Sequence, residues 1–149
     1  MGLEEDIKQA KFQSEHQKAV VNILYTGSWL HHSNASFLKD FDVTPEQFNV
    51  LSILRGSQPK ALKLADITCR MLDKSSNATR LVEKLRLKGL VKREICKNNR
   101  RQLDISITER GLSLLSKIDK SADQWPSFTD NLTGTEAREL NRLLDKLRG

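Results

Sequence analysis

The apolar residues of this chain fall into blocks of helical and then strand period. Over residues 14–41, Val20, Ile23, Leu24, Gly27, Leu30 and Leu38 form a stripe at helical spacing and predict one long helix. Leu3, Ile7 and Ala10 suggest a helical arm ahead of it. Residues 42–47 read as a helix start, with Thr44 at the N-cap, Pro45 in the first turn and Gln47 completing a capping box. Phe48, Leu51 and Leu54 mark the buried face of that helix, Gly56 its expected end, and residues 57–60 a turn. A short helix follows with Leu64, Ile67, Met71 and Leu72 inward. Residues 75–88 project with Ala78, Leu81, Val82 and Leu85 on one side and Ser76, Thr79, Arg80 and Glu83 on the other. Asn77 and Lys84 lie on the flank, and Asp73 or Ser75 is the expected cap.

After Gly89 the period changes to two. Residues 90–96 alternate, and Leu103, Ile105 and Ile107 alternate with polar Gln102, Asp104 and Ser106. With Lys97, Asn98, Asn99 and Arg100 between them, the two runs predict a β-hairpin. Thr108 caps a further helix with Leu112, Leu115, Ile118, Ala122 and Trp125 on its apolar face; Pro126 marks its end and residues 126–131 a linker. Thr133 and Glu136 form a capping box for a last helix, with Ala137, Leu140, Leu144 and Leu147 inside. The expected fold is mainly α with a small β-hairpin wing. Its middle is a winged helix-turn-helix, which lays one helix in a major groove and a hairpin beside it.

Charge adds to this picture. Between Lys74 and Arg101 stand ten Lys and Arg against Glu83 and Glu94, a local +8 in a chain whose net charge is +6. The rest of the chain is slightly acidic, so the positive charge is local and points to a polyanion. Ser75, Ser76, Asn77, Thr79, Arg80 and Lys84 on the helix, with Lys97, Arg100 and Arg101 at the hairpin tip, are the candidate DNA-binding residues. Small polar side chains in a first helical turn suit base edges, and the positive helix end suits phosphate. Which of Ser76, Asn77, Thr79 and Arg80 reads a base stays open.

Length and composition narrow the class. At 149 residues the chain fits one domain with a real core, and 30% charged residues suit a soluble, helix-rich protein. No apolar run is long enough to span a bilayer. The start is acidic, without an apolar signal core, and Asp6 spoils a myristoylation pattern, so a cytoplasmic location is expected. Cys69 and Cys96 are too few for a disulfide framework and lack metal-ligand spacing; His16, His31 and His32 do not join them. No metal or cofactor is expected. Cys69 reads as a small core residue. Cys96, with Lys97 beside it, reads as a thiol of lowered pKa, with a redox switch as the minor reading.

Four segments in order then resemble a known family. Residues 44–51 (Thr-Pro-Glu-Gln-Phe-Asn-Val-Leu) are similar to the opening of the helix-turn-helix in the multiple-antibiotic-resistance regulator (MarR) family. Residues 77–85 resemble its recognition helix, 88–93 (Lys-Gly-Leu-Val-Lys-Arg) its entry to the wing, and 99–101 with 105–111 its wing tip and exit. The resemblance implies a single MarR-type domain over 1–149. Its winged helix-turn-helix would span 42–108, with dimerisation helices in 1–41 and 109–149. It further implies a homodimer on a pseudo-palindromic double-stranded DNA operator, with Arg101 reaching into a minor groove. A small aromatic or anionic effector that weakens DNA binding is also implied, and Trp29, His31 and His32 are its candidate contacts. The family usually has Asp where this chain has Asn99, which accepts a hydrogen bond but brings no charge.

A homodimeric repressor released by a small molecule is therefore the leading expectation. The alternative is a winged-helix interaction module whose basic face meets an acidic protein. An enzyme is not expected, because no nucleophile–base pair, phosphate-binding glycine loop or metal signature is present.

Overall fold

The structure, a computed structural model, describes residues 2–125 and 129–149. Its elements in order are α1 (Leu3–Asp6), α2 (Glu15–Leu38), α3 (Pro45–Ser57), α4 (Leu64–Arg70), α5 (Ala78–Leu87), β1 (Val91–Ile95), β2 (Leu103–Ile107), α6 (Glu109–Lys120) and α7 (Gly134–Arg148). Short 3-10 turns cover Lys39–Phe41, Ala122–Gln124 and Thr129–Asn131.

The long first helix forms as its pattern predicts. Ser14 caps α2 by accepting the Gln17 N–H at 3.1 Å, and the chain leaves its end through Asp42 at a left-handed φ of 57°. The arm ahead of it is only one turn, because the backbone turns away at Lys8 with φ 54°. Leu3 is nevertheless buried, and Glu4 pairs with Lys18.

Thr44 builds the expected capping box, accepting the Gln47 N–H at 3.1 Å while Gln47 Oε1 accepts the Thr44 N–H at 3.2 Å. Gly56 does not end α3. The helix runs on through Ser57, whose Oγ donates to the carbonyls of Leu54 and Lys60, and Pro59 then offers no N–H to continue it. Within and after α4, Ile67 and Met71 turn inward but Leu72 is 89% exposed, its N–H drawn to Asn49 Oδ1 at 2.9 Å. Cys69 is exposed rather than part of the core.

The recognition helix begins later than the sequence suggests. Asp73 Oδ1 accepts both the N–H and the hydroxyl of Ser75, at 2.9 and 2.6 Å, and so makes a turn instead of a cap. Asn77 is the N-cap, accepting the Arg80 N–H at 3.1 Å, and α5 starts at Ala78. Ala78, Val82 and Leu85 are buried against Leu51, Leu54, Ile67, Ile105, Leu115 and Ile118, in one core shared by both lobes of the helix-turn-helix and the wing root. Val82 and Leu85 each contribute about 1.5–3 kcal/mol by leaving water, and the Ala78 methyl less.

β1 and β2 pair antiparallel, from Val91 opposite Ile107 to Ile95 opposite Leu103. Leu62, ahead of α4, adds a bridge to Ile105 through N–H···O bonds of 2.9 and 2.8 Å. Strict alternation of burial fails in β1, where only Val91 is buried and Ile95 is 65% exposed, because the hairpin runs out beyond the body of the lobe.

At the hairpin root, Thr108 Oγ1 donates to the Gly89 carbonyl at 2.7 Å and accepts the Gly111 N–H at 3.1 Å. A Cβ on Gly111 would lie 2.3 Å from the Leu90 oxygen, so only glycine fits there. α6 stops at Lys120 instead of carrying Trp125 on its face. Trp125 follows a 3-10 turn, packs at a tilt against Phe37 and Phe48 at centroid distances of 4.4 and 5.6 Å, and donates from Nε1 to Asn34 Oδ1 at 3.1 Å. Pro126, read as the helix end, lies outside the described residues, as does the linker up to residue 128.

α7 has its expected capping box at Thr133 and Glu136, but its apolar side does not lie inside this chain. Leu140, Leu143 and Leu147 are exposed, as are Val20, Ile23 and Leu24 on α2.

Candidate nucleic-acid interface

The ten cations between Lys74 and Arg101 do not share one environment. Glu83 accepts a bidentate pair from Arg86, at 3.0 and 2.7 Å, and a contact from Arg93 at 3.1 Å. Arg86, which outweighs partial burial, and then Arg93 hold the Glu83 carboxyl below its usual range. Lys88 donates to the Asp42 carbonyl and faces the Asp42 carboxylate at 3.6 Å and Gln47 Oε1 at 3.4 Å. Lys92 pairs with Glu94 at 3.6 Å, and Lys74 donates to the Cys69 carbonyl. Five remain: Arg80, Lys84, Lys97, Arg100 and Arg101 are exposed and make no ion pair among the described residues. Their charge is uncompensated where the pattern of an outward helix face and a hairpin tip placed it.

These side chains fall into three places. Ser76, Asn77, Arg80 and Lys84 share a notch with Thr44, Glu46 and Gln47, so the capped start of α3 abuts the first turns of α5. Two capped helix starts, the Glu46 carboxylate and the free cations Arg80 and Lys84 line one open concavity, and the two cations are what suit it to phosphate. Thr79 and Arg101 instead line a cleft of about 270 Å³ between α5, α4 and the wing, with Lys63, Arg93 and Gln102 around a floor of Leu64, Val82, Leu103 and Ile105. Lys97 and Arg100 stand exposed on the tip. Ser75 is exposed with its donors committed to Asp73, whose carboxyl they hold below its usual range.

The tip is ordered by Asn99. Its Oδ1 accepts the Arg101 N–H at 3.0 Å and its carbonyl accepts the Gln102 N–H at 3.0 Å, so the Asn99 amide closes the turn without a charge. The Gln102 carbonyl in turn accepts the Cys96 N–H at 3.0 Å. Behind it, buried Cys96 has its thiol pKa lowered by the backbone N–H groups of Asn98 and Asn99, aided by Lys63. Lys97, the neighbour that suggested this from sequence, is not the cause.

The effector candidates are placed elsewhere. His31 Nε2 stands 3.7 Å from Glu46 Oε1, His32 Nδ1 lies 2.9 Å from the Ser28 carbonyl, and Trp29 is exposed on α2. None of the three lines the 270 Å³ cleft. Thr44, Glu46 and Lys63 are contributors that sequence reading passed over; the only signal for them was their position at or beside helix starts. Among the described residues no group of three or more His, Cys, Asp or Glu is set to hold a metal ion, and no helix is long and apolar enough to cross a membrane.

Comparison with known proteins agrees with this geometry. The family model described as MarR matches residues 43–103. The HTH-type transcriptional regulator MgrA of Staphylococcus aureus is 30% identical over 117 residues, 78% of this chain and 77% of that protein. AbsC, a MarR family transcriptional regulator from Streptomyces coelicolor, has a TM-score of 0.79 at 24% identity, covering 93% of this chain and 96% of its own. A mutant MarR from Escherichia coli complexed with operator DNA has a TM-score of 0.79 at 23% identity, covering 93% and 99%. These two likenesses establish the fold, and the relatives are transcription regulators rather than enzymes. With its helix-turn-helix, wing and flanking helices in the same order, the chain belongs to the MarR family of winged-helix transcriptional regulators.

Proposed function

We propose that this protein is a cytoplasmic, homodimeric repressor that binds a pseudo-palindromic double-stranded DNA operator and is released by a small effector. One observation carries the DNA reading. Among the described residues, the cations with neither an acidic partner nor a backbone acceptor are Arg80 and Lys84 on the recognition helix and Lys97, Arg100 and Arg101 on the wing tip, whereas Arg86, Lys88, Lys92 and Arg93 meet carboxylates and Lys74 donates to the Cys69 carbonyl. Residues 42–108 act as the DNA-binding unit. α5 enters a major groove with Ser76, Asn77, Thr79 and Arg80 facing base edges, while Arg101 enters the adjoining minor groove.

The dimer reading is supported by the exposed apolar sides of α2 and α7, in residues 1–41 and 109–149, which one chain leaves in water. A two-fold axis would set the half-sites about one helical turn apart. For the effector, the cleft below Thr79 and Arg101 fits a small aromatic acid better than the surface at Trp29, His31 and His32. It offers an apolar floor with Lys63, Arg93 and Arg101 at its rim. A ligand lodged there would stand between the recognition helix and the wing.

The test is duplex binding to DNA from upstream of the protein's own coding sequence, against a scrambled duplex of equal length. Arg80→Ala is expected to weaken binding and relax sequence preference, and Arg101→Ala to weaken it on all sequences. Equal binding to both duplexes, or capture of an acidic protein with no duplex binding, refutes the reading.

A further inference from the structure

Lys63 stands just before α4, outside every segment that marks the interface in the sequence. Its ammonium meets both hairpin strands at the point where they leave the core. Nζ is 3.4 Å from Asp104 Oδ1 on β2 and 3.5 Å from Cys96 Sγ at the end of β1. The backbone of the same segment is fixed as well, since the Lys63 N–H donates to Asp66 Oδ2 at 3.2 Å and Leu62 pairs with Ile105. A single side chain thus ties strand to strand and both to the helix-turn-helix. Beyond this tie the hairpin has little to rest on: Ile95 and Leu103 are exposed, and Lys97, Arg100 and Arg101 are open to solvent.

Cys96 carries the tie onward. It is buried at 8% exposure, and its sulfur sits against the N–H groups of Asn98 and Asn99 in the turn that holds Arg100 and Arg101. Burial opposes the Lys63 charge, but Asp104 and the Cys96 sulfur outweigh it and leave the amine pKa raised, so the Lys63 ammonium keeps its charge. Asn99 cannot offer the charge that a wing-tip Asp would, and this chain instead has a cation beneath the tip with two acceptors around it.

We propose that Lys63 is a positioning residue for DNA binding: through Asp104 and Cys96 it fixes the wing so that Arg101 is presented to the duplex already ordered, without touching DNA itself. The role rests on the DNA-binding reading above. An arginine on an unfastened tip must be ordered at the moment of binding, and that cost comes out of affinity.

The experiment compares full-length wild type, Lys63→Met, which keeps most of the apolar stem, and Lys63→Arg. Amide hydrogen exchange without DNA reads the tip directly, because the N–H groups of Cys96, Arg101 and Gln102 are all bonded within it. Lys63→Met is expected to speed exchange over residues 96–102 about tenfold while α5 stays protected. It should also weaken duplex binding about fivefold or more, and Arg101→Ala should add little in that background because the two act through one tip. Lys63→Arg should restore both properties.

Unchanged tip exchange in Lys63→Met overturns the proposal. So do multiplicative losses with Arg101→Ala together with a shallower salt dependence, which would make Lys63 a phosphate contact. If Lys63→Met does not fold, Asp104→Ala removes the strand contact and is held to the same outcomes. Failure of wild type to bind any duplex would refute the DNA reading, while the exchange measurement would still decide whether Lys63 holds the tip.

Discussion

Salt dependence gives the sharpest measure of how the cations are sorted. Among the described residues five of them per chain (Arg80, Lys84, Lys97, Arg100 and Arg101) have neither an acidic partner nor a side-chain hydrogen bond, so a two-fold dimer would bring about ten to the duplex. At a slope of about −0.9 per neutralised phosphate, log affinity should fall against log salt with a slope of up to about −9. That corresponds to a loss of about 10⁵-fold between about 50 and 200 mM salt. Arg101→Ala removes one contact per half-site and should move the slope about 2 units toward zero. Lys92→Ala also deletes an exposed charge, but that charge is engaged by Glu94 at 3.6 Å and should move the slope by well under 1 unit. Fluorescence anisotropy of a labelled duplex titrated over a series of KCl concentrations measures all three. Equal changes for Arg101→Ala and Lys92→Ala, or a wild-type slope no steeper than about −3, would defeat the argument that unpaired cations define the interface.

Other consequences concern stability. Asn77→Ala removes the cap on the Arg80 N–H and should cost about 1 kcal/mol in urea unfolding, whereas Ser75→Ala, outside the helix, should cost much less. Gly111→Ala drives a methyl onto the Leu90 carbonyl and should destabilise by about 3 kcal/mol or more, which a thermal melt will show as a large fall in Tm. Because the folded Cys96 thiol titrates below its ordinary value, the unfolded chain holds a proton that the folded chain has released in the interval between the two. Stability should therefore rise with pH through that interval, and be lost as pH falls through the folded value. Cys96→Ser should flatten that part of the melting profile; an unchanged profile would deny the thiol its contacts with the tip.

Much of the fold was legible because its signals are local. The capping boxes at Thr44 and Thr133 each need only residues three apart, and both form as read. The hairpin is likewise set by two runs of period two around a polar turn. The start of α5 was not legible, because Asp73, Ser75 and Asn77 are all good caps. What decides among them is that Asp73 is spent on the Ser75 donors. Leu72 and Ile95 show the limit of hydrophobic pattern: each fits an apolar stripe, and each lies past the point where its element leaves the core. The free and the paired cations are indistinguishable in sequence. The distance of Glu83 from Arg93 along the chain gives no sign that one carboxylate holds both Arg86 and Arg93.

The junction of Thr108, Gly89 and Gly111 can be viewed mechanically. The start of α6, the exit of α5 and the foot of the hairpin meet there with no clearance for even a methyl group, so α6 and the wing foot cannot slide past one another. A junction of this kind is a fulcrum. From it the hairpin reaches out about 20 Å to its tip at roughly 3.3 Å per residue. A tilt of α6 by about 10° would swing that lever's far end by about 3 Å, more than the tolerance of a hydrogen bond. Small rotations in the flanking helices would thereby be amplified at Arg101, to the extent that the Lys63 and Leu62 contacts with the hairpin give way.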